Sequence, residues 1–266
     1  GLAEGQVVVQ VHSGSRGLGH QVASDYVRQF QSAIHKFNIT LPDRELVCAP
    51  IESQEGSSYL AAMACAANYA FANRQILTAF VREAFDSILR QTFGDDTMLN
   101  QVYDVAHNIA KIEFHNVDGV QEQLCIHRKG ATRSFGSETI KATGTLAEFP
   151  PAYQASGQPV LVPGSMGTGS WVMVGCDQST DLSFGSCCHG AGRRMSRSKA
   201  KRTIWGSDLK QELEDSGIIV RAKSMAGLAE EAPAAYKDVD IVVEVAHVSG
   251  LARRVARIVP IGVIKG

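Results

Sequence analysis

Three histidines stand where this chain could do chemistry. His12 follows the apolar run at 6–11 (QVVVQV), His107 follows residues 102–106 (VYDVA), and His189 opens the string HGAG. Each reads as a strand end running into a turn, the place where a rigid scaffold presents catalytic or metal-binding groups. Imidazole offers a metal ligand, a general acid or base, or a nucleophile. His20, His35, His115, His127 and His247 lack this context and read as structural.

Glycine-rich loops accompany them: SGSRGLG at 13–19, PGSMGTGS at 163–170 and HGAGR at 189–193. Glycine admits positive φ and close backbone approach, so successive N–H groups can cradle phosphate oxygens. None is a Walker loop or a G-x-G-x-x-G fingerprint. Ordinary tight turns remain the competing reading, and the nearby cations Arg16, Lys129 (in HRKGATR) and Arg193 tilt it toward phosphate.

The chain carries 26 Lys+Arg against 27 Asp+Glu, a net charge of −1 that conceals an asymmetry. Residues 189–202 (HGAGRRMSRSKAKR) hold Arg193, Arg194, Arg197, Lys199, Lys201 and Arg202 with no acid, leaving an acidic remainder. One basic element on an acidic body favours a single surface for a polyanion. A helix starting near Ala191 would place Arg193, Arg197 and Lys201 in one stripe at i, i+4, i+8. It would also set His189 just before the helix N-terminus, where the dipole favours neutral imidazole, the form that can attack phosphorus.

The elements that must position these groups alternate in type. Strands are expected at 6–11, 101–105, 124–127, 218–222 and 255–264, with a strand–turn–strand unit at 159–175. Helices are expected at 21–37, 52–89 (one long or two abutting), 209–216 and 228–236. Residues 240–248 fit either type, and the polar, Gly/Pro-containing segment 136–158 reads as a long loop or insertion. The fold class is α/β, mixed α+β, as one layered domain over 1–266.

At 266 residues and 44% hydrophobic, the chain can bury a core without disulfides, and disorder is excluded. Six scattered cysteines with no C-x-x-C pair fit a reducing, cytoplasmic compartment. No apolar run approaches the ~18 residues of a membrane span. Gly1 in place of an initiating Met, in the approach to an apolar run, reads as a chain missing its beginning.

Taken in order, HSGSRGLGHQ, ANYAFANR, YDVAHNIAK, HRKGATR, GQPVLVPGSMGTGSWV, CCHGAGRRMSRSKA, EEAPAAYKDV and PIGVIKG resemble the RtcB family of RNA ligases, from about Gln6 to Gly266. The resemblance implies a GTP- and Mn²⁺-dependent enzyme of tRNA splicing or RNA repair. Such an enzyme joins an RNA 3′-phosphate or 2′,3′-cyclic phosphate to a 5′-hydroxyl end. It implies that His189 becomes guanylylated and passes GMP to the RNA, and that His12 and His107 are ligands in a site for two Mn²⁺ ions. Nucleotide contacts would fall on Asn108, Pro163, Gly164, Ser165, Met166, Ser170, Gly190, Ala191, Gly192 and Lys265, with Tyr236 a further candidate. Arg16, Lys129, Arg193 and Arg197 would meet phosphate or RNA. The implied partners are RNA and GTP, with room for an activating protein and no membrane.

Family members also carry an upstream Asp-x-x-Cys metal motif and an Asn-His motif. Neither precedes His12 here, and none of the six cysteines stands in a matching context. The chain thus corresponds to the C-terminal portion, with two of the expected metal ligands and part of the guanine pocket. Segment 136–158 is longer than the family's usual connection. Two other classes remain open: an inactive RNA-binding remnant, and a metal-dependent phosphatase or nuclease reusing the histidines.

Overall fold

The computed structural model describes residues 2–266, apart from the side chains of 95 and 96. The chain forms two compact units, one over residues 3–109 and the other over 110–266.

The first unit is helical. Helix α1 (Gly17–Lys36) packs on α2 (Gln54–Phe93), a single helix of 40 residues. The Ser53 hydroxyl caps α2 by accepting from the Gly56 N–H, and Gly94 at φ +63° ends it. Between the helices lie buried Phe30, Ala33, Ala66 and Ala70. Small alanines let the helices approach, and the Phe30 ring stands edge to face against both Tyr26 and Tyr59. Residues 6–11 do not form the expected strand, and neither do 101–105. Val7 and Val9 are exposed, and without a ladder partner β propensity has nothing to act on.

The second unit is mixed. A hairpin of β1 (Asn108–Val117) and β2 (Val120–Lys129) turns at Asp118–Gly119, both at positive φ. Only its second strand was expected, although Asp-Gly is the usual signature of such a turn. Strand β3 (Ala131–Arg133) follows at once. Segment 136–158 holds α3 (Ser137–Ala142), a 3₁₀ turn at Leu146–Glu148 and α4 (Pro151–Ser156). The expected strand–turn–strand unit is present as β4 (Pro159–Val162) and β5 (Ser170–Gly175), joined by β8 (Ala252–Ile258) into an antiparallel sheet.

After α5 (Ser179–Ser183), β6 (Ser186–Cys188) pairs antiparallel with β3. Helix α6 (Arg197–Thr203) packs on α8 (Met225–Glu230), and α8 and α7 (Gly206–Asp215) pack on β7 (Ile219–Ala222), which pairs in parallel with β9 (Gly262–Lys265). The ambiguous segment is a helix, α9 (Val239–Val248), capped by Asp238. Its Val239, Val243 and Ala246 are buried at helical spacing against Val160, Val162 and Met173, so packing overrides the β preference of valine. A second core gathers Met166, Leu209, Leu213, Val220 and Leu228. The fold class is mixed α+β, as the sequence indicates.

Candidate functional site

The structure assembles the singled-out residues into two groups, one per unit. In the helical unit, His12 and His107, 95 residues apart in sequence, bring their Nε2 atoms to 3.1 Å. Motif ANYAFANR on α2 does this positioning. The Asn73 amide donates to Ser13 Oγ and to the Gly14 carbonyl, each at 3.0 Å. The Arg74 guanidinium donates to the Ser13 carbonyl at 3.2 Å and to Asp104 at 2.5 Å, and lies over the Phe71 ring. One buried arginine thereby ties the loop of His12 to the segment of His107. Neither histidine sits at a strand end as expected: His12 lies in irregular chain, and His107 precedes β1.

Two imidazole nitrogens 3.1 Å apart can share a proton or a cation. With bonds of ~2.1 Å, they would subtend about 95° at one ion, close to the cis angle of an octahedron. The pair therefore fits as two neighbouring ligands of one divalent ion that accepts nitrogen. Among the described residues, no group of three or more His, Cys, Asp or Glu is gathered. Arg16, exposed at φ +56°, precedes α1 without capping it; Ser15 Oγ instead accepts from Gly19 N.

In the second unit, β3 and β6 set His189. Their register pairs Ala131 with Cys188 and Thr132 with Cys187, so HRKGATR and CCHGAG lie side by side. The Arg128 guanidinium donates to Ser186 Oγ at 2.9 Å and to the Phe184 carbonyl at 2.9 Å, locking the approach to His189. Glu113 holds that guanidinium through two hydrogen bonds of 3.0 and 2.7 Å. Burial pushes the Glu113 carboxyl up, but Arg128, together with His115 and Arg133, more than offsets this and holds it below the usual carboxylate range. Gly130, at φ +68°, lies beside the histidine: a Cβ there would come within 3.3 Å of its Cε1. His189 Nδ1 is buried. Lys129, by contrast, is exposed.

Two of the glycine loops, 163–170 and 189–193, meet. The Ala191 N–H donates to the Pro163 carbonyl at 3.1 Å, and a Cβ at Gly190 would crowd the same oxygen. Within 163–170, Gly164 N donates to Ser170 Oγ and Ser165 N to Thr168 Oγ1, so hydroxyls hold the loop closed. The Met166 side chain is buried in the second core, leaving its backbone for any ligand.

The expected basic stripe does not form. Helix α6 begins at Arg197, six residues later than the reading from Ala191, with Ser196 as its cap. His189 therefore has no helix N-terminus behind it, and the dipole argument for neutral imidazole fails. Arg193 instead bridges to Tyr236, donates to its hydroxyl at 2.8 Å and stacks over its ring. The Gly192 carbonyl accepts from Lys237 N, and the Ala235 carbonyl from Arg194 N, so 192–195 and 235–237 are zipped together.

Sequence reasoning missed the acids at the centre of this junction. Glu231 accepts from the Tyr236 hydroxyl and lies 3.7 Å from Arg193 and 3.8 Å from Lys265. Burial, then the hydrogen bond to Glu231, pushes Tyr236 up to about 12. Glu230 pairs with Lys201. Both acids open the quoted string EEAPAAY, but only the fold shows what they face.

These elements correspond to a class already described. The family model for "tRNA-splicing ligase RtcB" matches residues 1–266, and the chain belongs to that family. It is 53% identical over its whole length to the tRNA-splicing ligase RtcB of Archaeoglobus fulgidus and to that of Thermococcus kodakarensis, covering 54% of each. It is 53% identical to the Pyrococcus horikoshii protein of the same name, covering 30% of it. The chain thus spans about half the length, or less, of the curated relatives it matches. Among the described residues, no helix is long and apolar enough to cross a membrane.

Proposed function

We propose that this chain carries the nucleotide-transfer part of an RNA ligase that uses GTP and Mn²⁺ to join 3′-phosphate or 2′,3′-cyclic phosphate ends to 5′-hydroxyl ends. One observation carries the reading: His189, fixed by two paired strands with Nδ1 buried, adjoins a closed glycine loop of backbone donors. His189 Nε2 attacks the α-phosphorus of GTP, a P–N bond forms, and pyrophosphate leaves with the electron pair of the broken P–O bond. An RNA 3′-phosphate oxygen then displaces the histidine and takes the GMP. The 5′-hydroxyl attacks the activated phosphorus, closing the phosphodiester and releasing GMP. A 2′,3′-cyclic end is first opened by water to the 3′-phosphate.

Backbone N–H groups that these loops do not use internally, those of Met166, Gly167 and Gly190, would meet phosphate oxygens, and Tyr236 and Lys265 would face the nucleotide. His12 and His107 would hold Mn²⁺, which when bound neutralises phosphate charge.

The test is acid-labile protein labelling from α-labelled GTP with MnCl₂, on this chain and on a chain extended to the length of its relatives, each beside His189→Ala. Label that disappears in the variant supports the reading. Label that persists in the variant, or none from either chain, overturns it.

A further inference from the structure

Helix α6 carries cations on two sides, and acids meet only one of them. Arg197 lies 3.8 Å from Glu230 and 3.9 Å from Glu231, and Lys201 pairs with Glu230. At about 100° per residue, Arg197 and Lys201 share one face, and Lys199 and Arg202 occupy the other, roughly 150° around the axis. Lys199 and Arg202 are exposed and form no ion pair among the described residues. Arg194, just ahead of the Ser196 cap, is likewise exposed.

A second, different observation lies three residues past Arg202. Trp205 is 77% exposed, an unusual position for an indole, whereas the other tryptophan, Trp171, is partly buried and donates to Asp240. Exposed cations followed within a few residues by an exposed aromatic ring are what single-stranded nucleic acid needs: the charges follow the backbone, and the ring stacks a base.

We propose that Lys199 and Arg202, with Trp205 beyond them, form a contact surface for single-stranded RNA, and that Glu230 and Glu231 reserve Arg197 and Lys201 for holding the helix in place. The proposal rests on the RNA-ligase reading for its choice of polyanion. A cation already matched by a carboxylate releases no condensed counterion when RNA arrives, so the two faces of α6 differ in what salt does to binding. The acidic charge of the rest of the chain confines attraction to this surface.

The test is titration of this chain with a single-stranded RNA bearing a 5′-hydroxyl, across a series of salt concentrations. The expected result is that Lys199→Gln/Arg202→Gln lowers the log–log salt slope by about 1.4, from ~0.7 per phosphate contact on a single strand. Arg197→Gln/Lys201→Gln, equal in charge, lowers it by clearly less. Trp171→Phe, which leaves Trp205 as the sole reporter, keeps fluorescence quenching by RNA, and Trp205→Phe abolishes it. Equal slope losses in the two double variants, quenching that survives Trp205→Phe, or binding of anionic lipid vesicles with none of RNA would overturn the proposal. No GTP is needed, so the two readings separate. Absent histidine label with the expected slopes removes the ligase and keeps the RNA surface, and label with unchanged slopes does the reverse.

Discussion

Gly130 and His189 are in contact range across paired strands: a Cβ on Gly130 would lie 3.3 Å from Cε1 and 3.5 Å from Nδ1 of the imidazole. The glycine is also at φ +68°, so two independent reasons disfavour a side chain there. Gly130→Ala strains the backbone by about 1–2 kcal/mol and displaces the ring. The expected outcome is a modest fall in melting temperature with a much larger loss of GTP labelling at His189. Labelling that falls only as far as the folded fraction would show that the contact does not position the histidine.

The Arg74–Asp104 pair is nearly buried and spans the segments of His12 and His107. Arg74→Met should weaken Mn²⁺ binding roughly 10–100-fold although Arg74 is no ligand, the usual consequence of losing support behind a ligand. Electron paramagnetic resonance of free Mn²⁺ reads this directly. His12→Ala and His107→Ala should remove the binding altogether, and wild-type affinity in either would sink the two-histidine site.

Glu113 binds its proton less tightly in the folded chain than in the unfolded one, because Arg128, with His115 and Arg133, outweighs the burial that opposes it. Its contribution to stability is therefore complete above the unfolded carboxylate value of about 4.3, and is lost as pH falls through the lower folded value. Glu113→Gln should destabilise the protein at neutral pH by roughly 3–5 kcal/mol, since Arg128 is left buried without its charge partner. Urea melts between neutral and acid pH should show a shallower acid dependence in this variant than in wild type. Parallel curves would refute the assignment.

Tyr236 is raised to about 12 by burial and by donation to Glu231, so its hydroxyl keeps its proton through the neutral and mildly alkaline range. Ultraviolet titration of the wild type minus Tyr236→Phe isolates this phenol. In Glu231→Gln its midpoint should move down toward the ordinary value of about 10. An unmoved midpoint would mean that burial alone sets it.

Much of this was legible in the residues. PVLVPGSMGTGSWV shows its strand–turn–strand plan in its own pattern, and α2 in its alanine-rich, proline-free run. The three histidines were singled out by type and neighbours, and the ordered motifs carried the family. Local signals suffice there because turn chemistry and helix periodicity are written within a few residues.

Other features depend on partners distant in the chain. Residues 6–11 have the composition of a strand and, among the described residues, no strand to pair with, while α9 is valine-rich and helical because three of its positions pack into a core. The cationic run looked like one stripe until Tyr236 and Ala235 drew residues 193–195 into a bridge and delayed the helix to Arg197. Which of its charges meet carboxylates, which histidine nitrogens approach each other, and why a side chain at Gly130 is disfavoured are all set by contacts 29 to 95 residues apart. The one-dimensional pattern records what each residue can do; three-dimensional packing decides which neighbour it does it with, because pairing and burial energies arise only where segments meet.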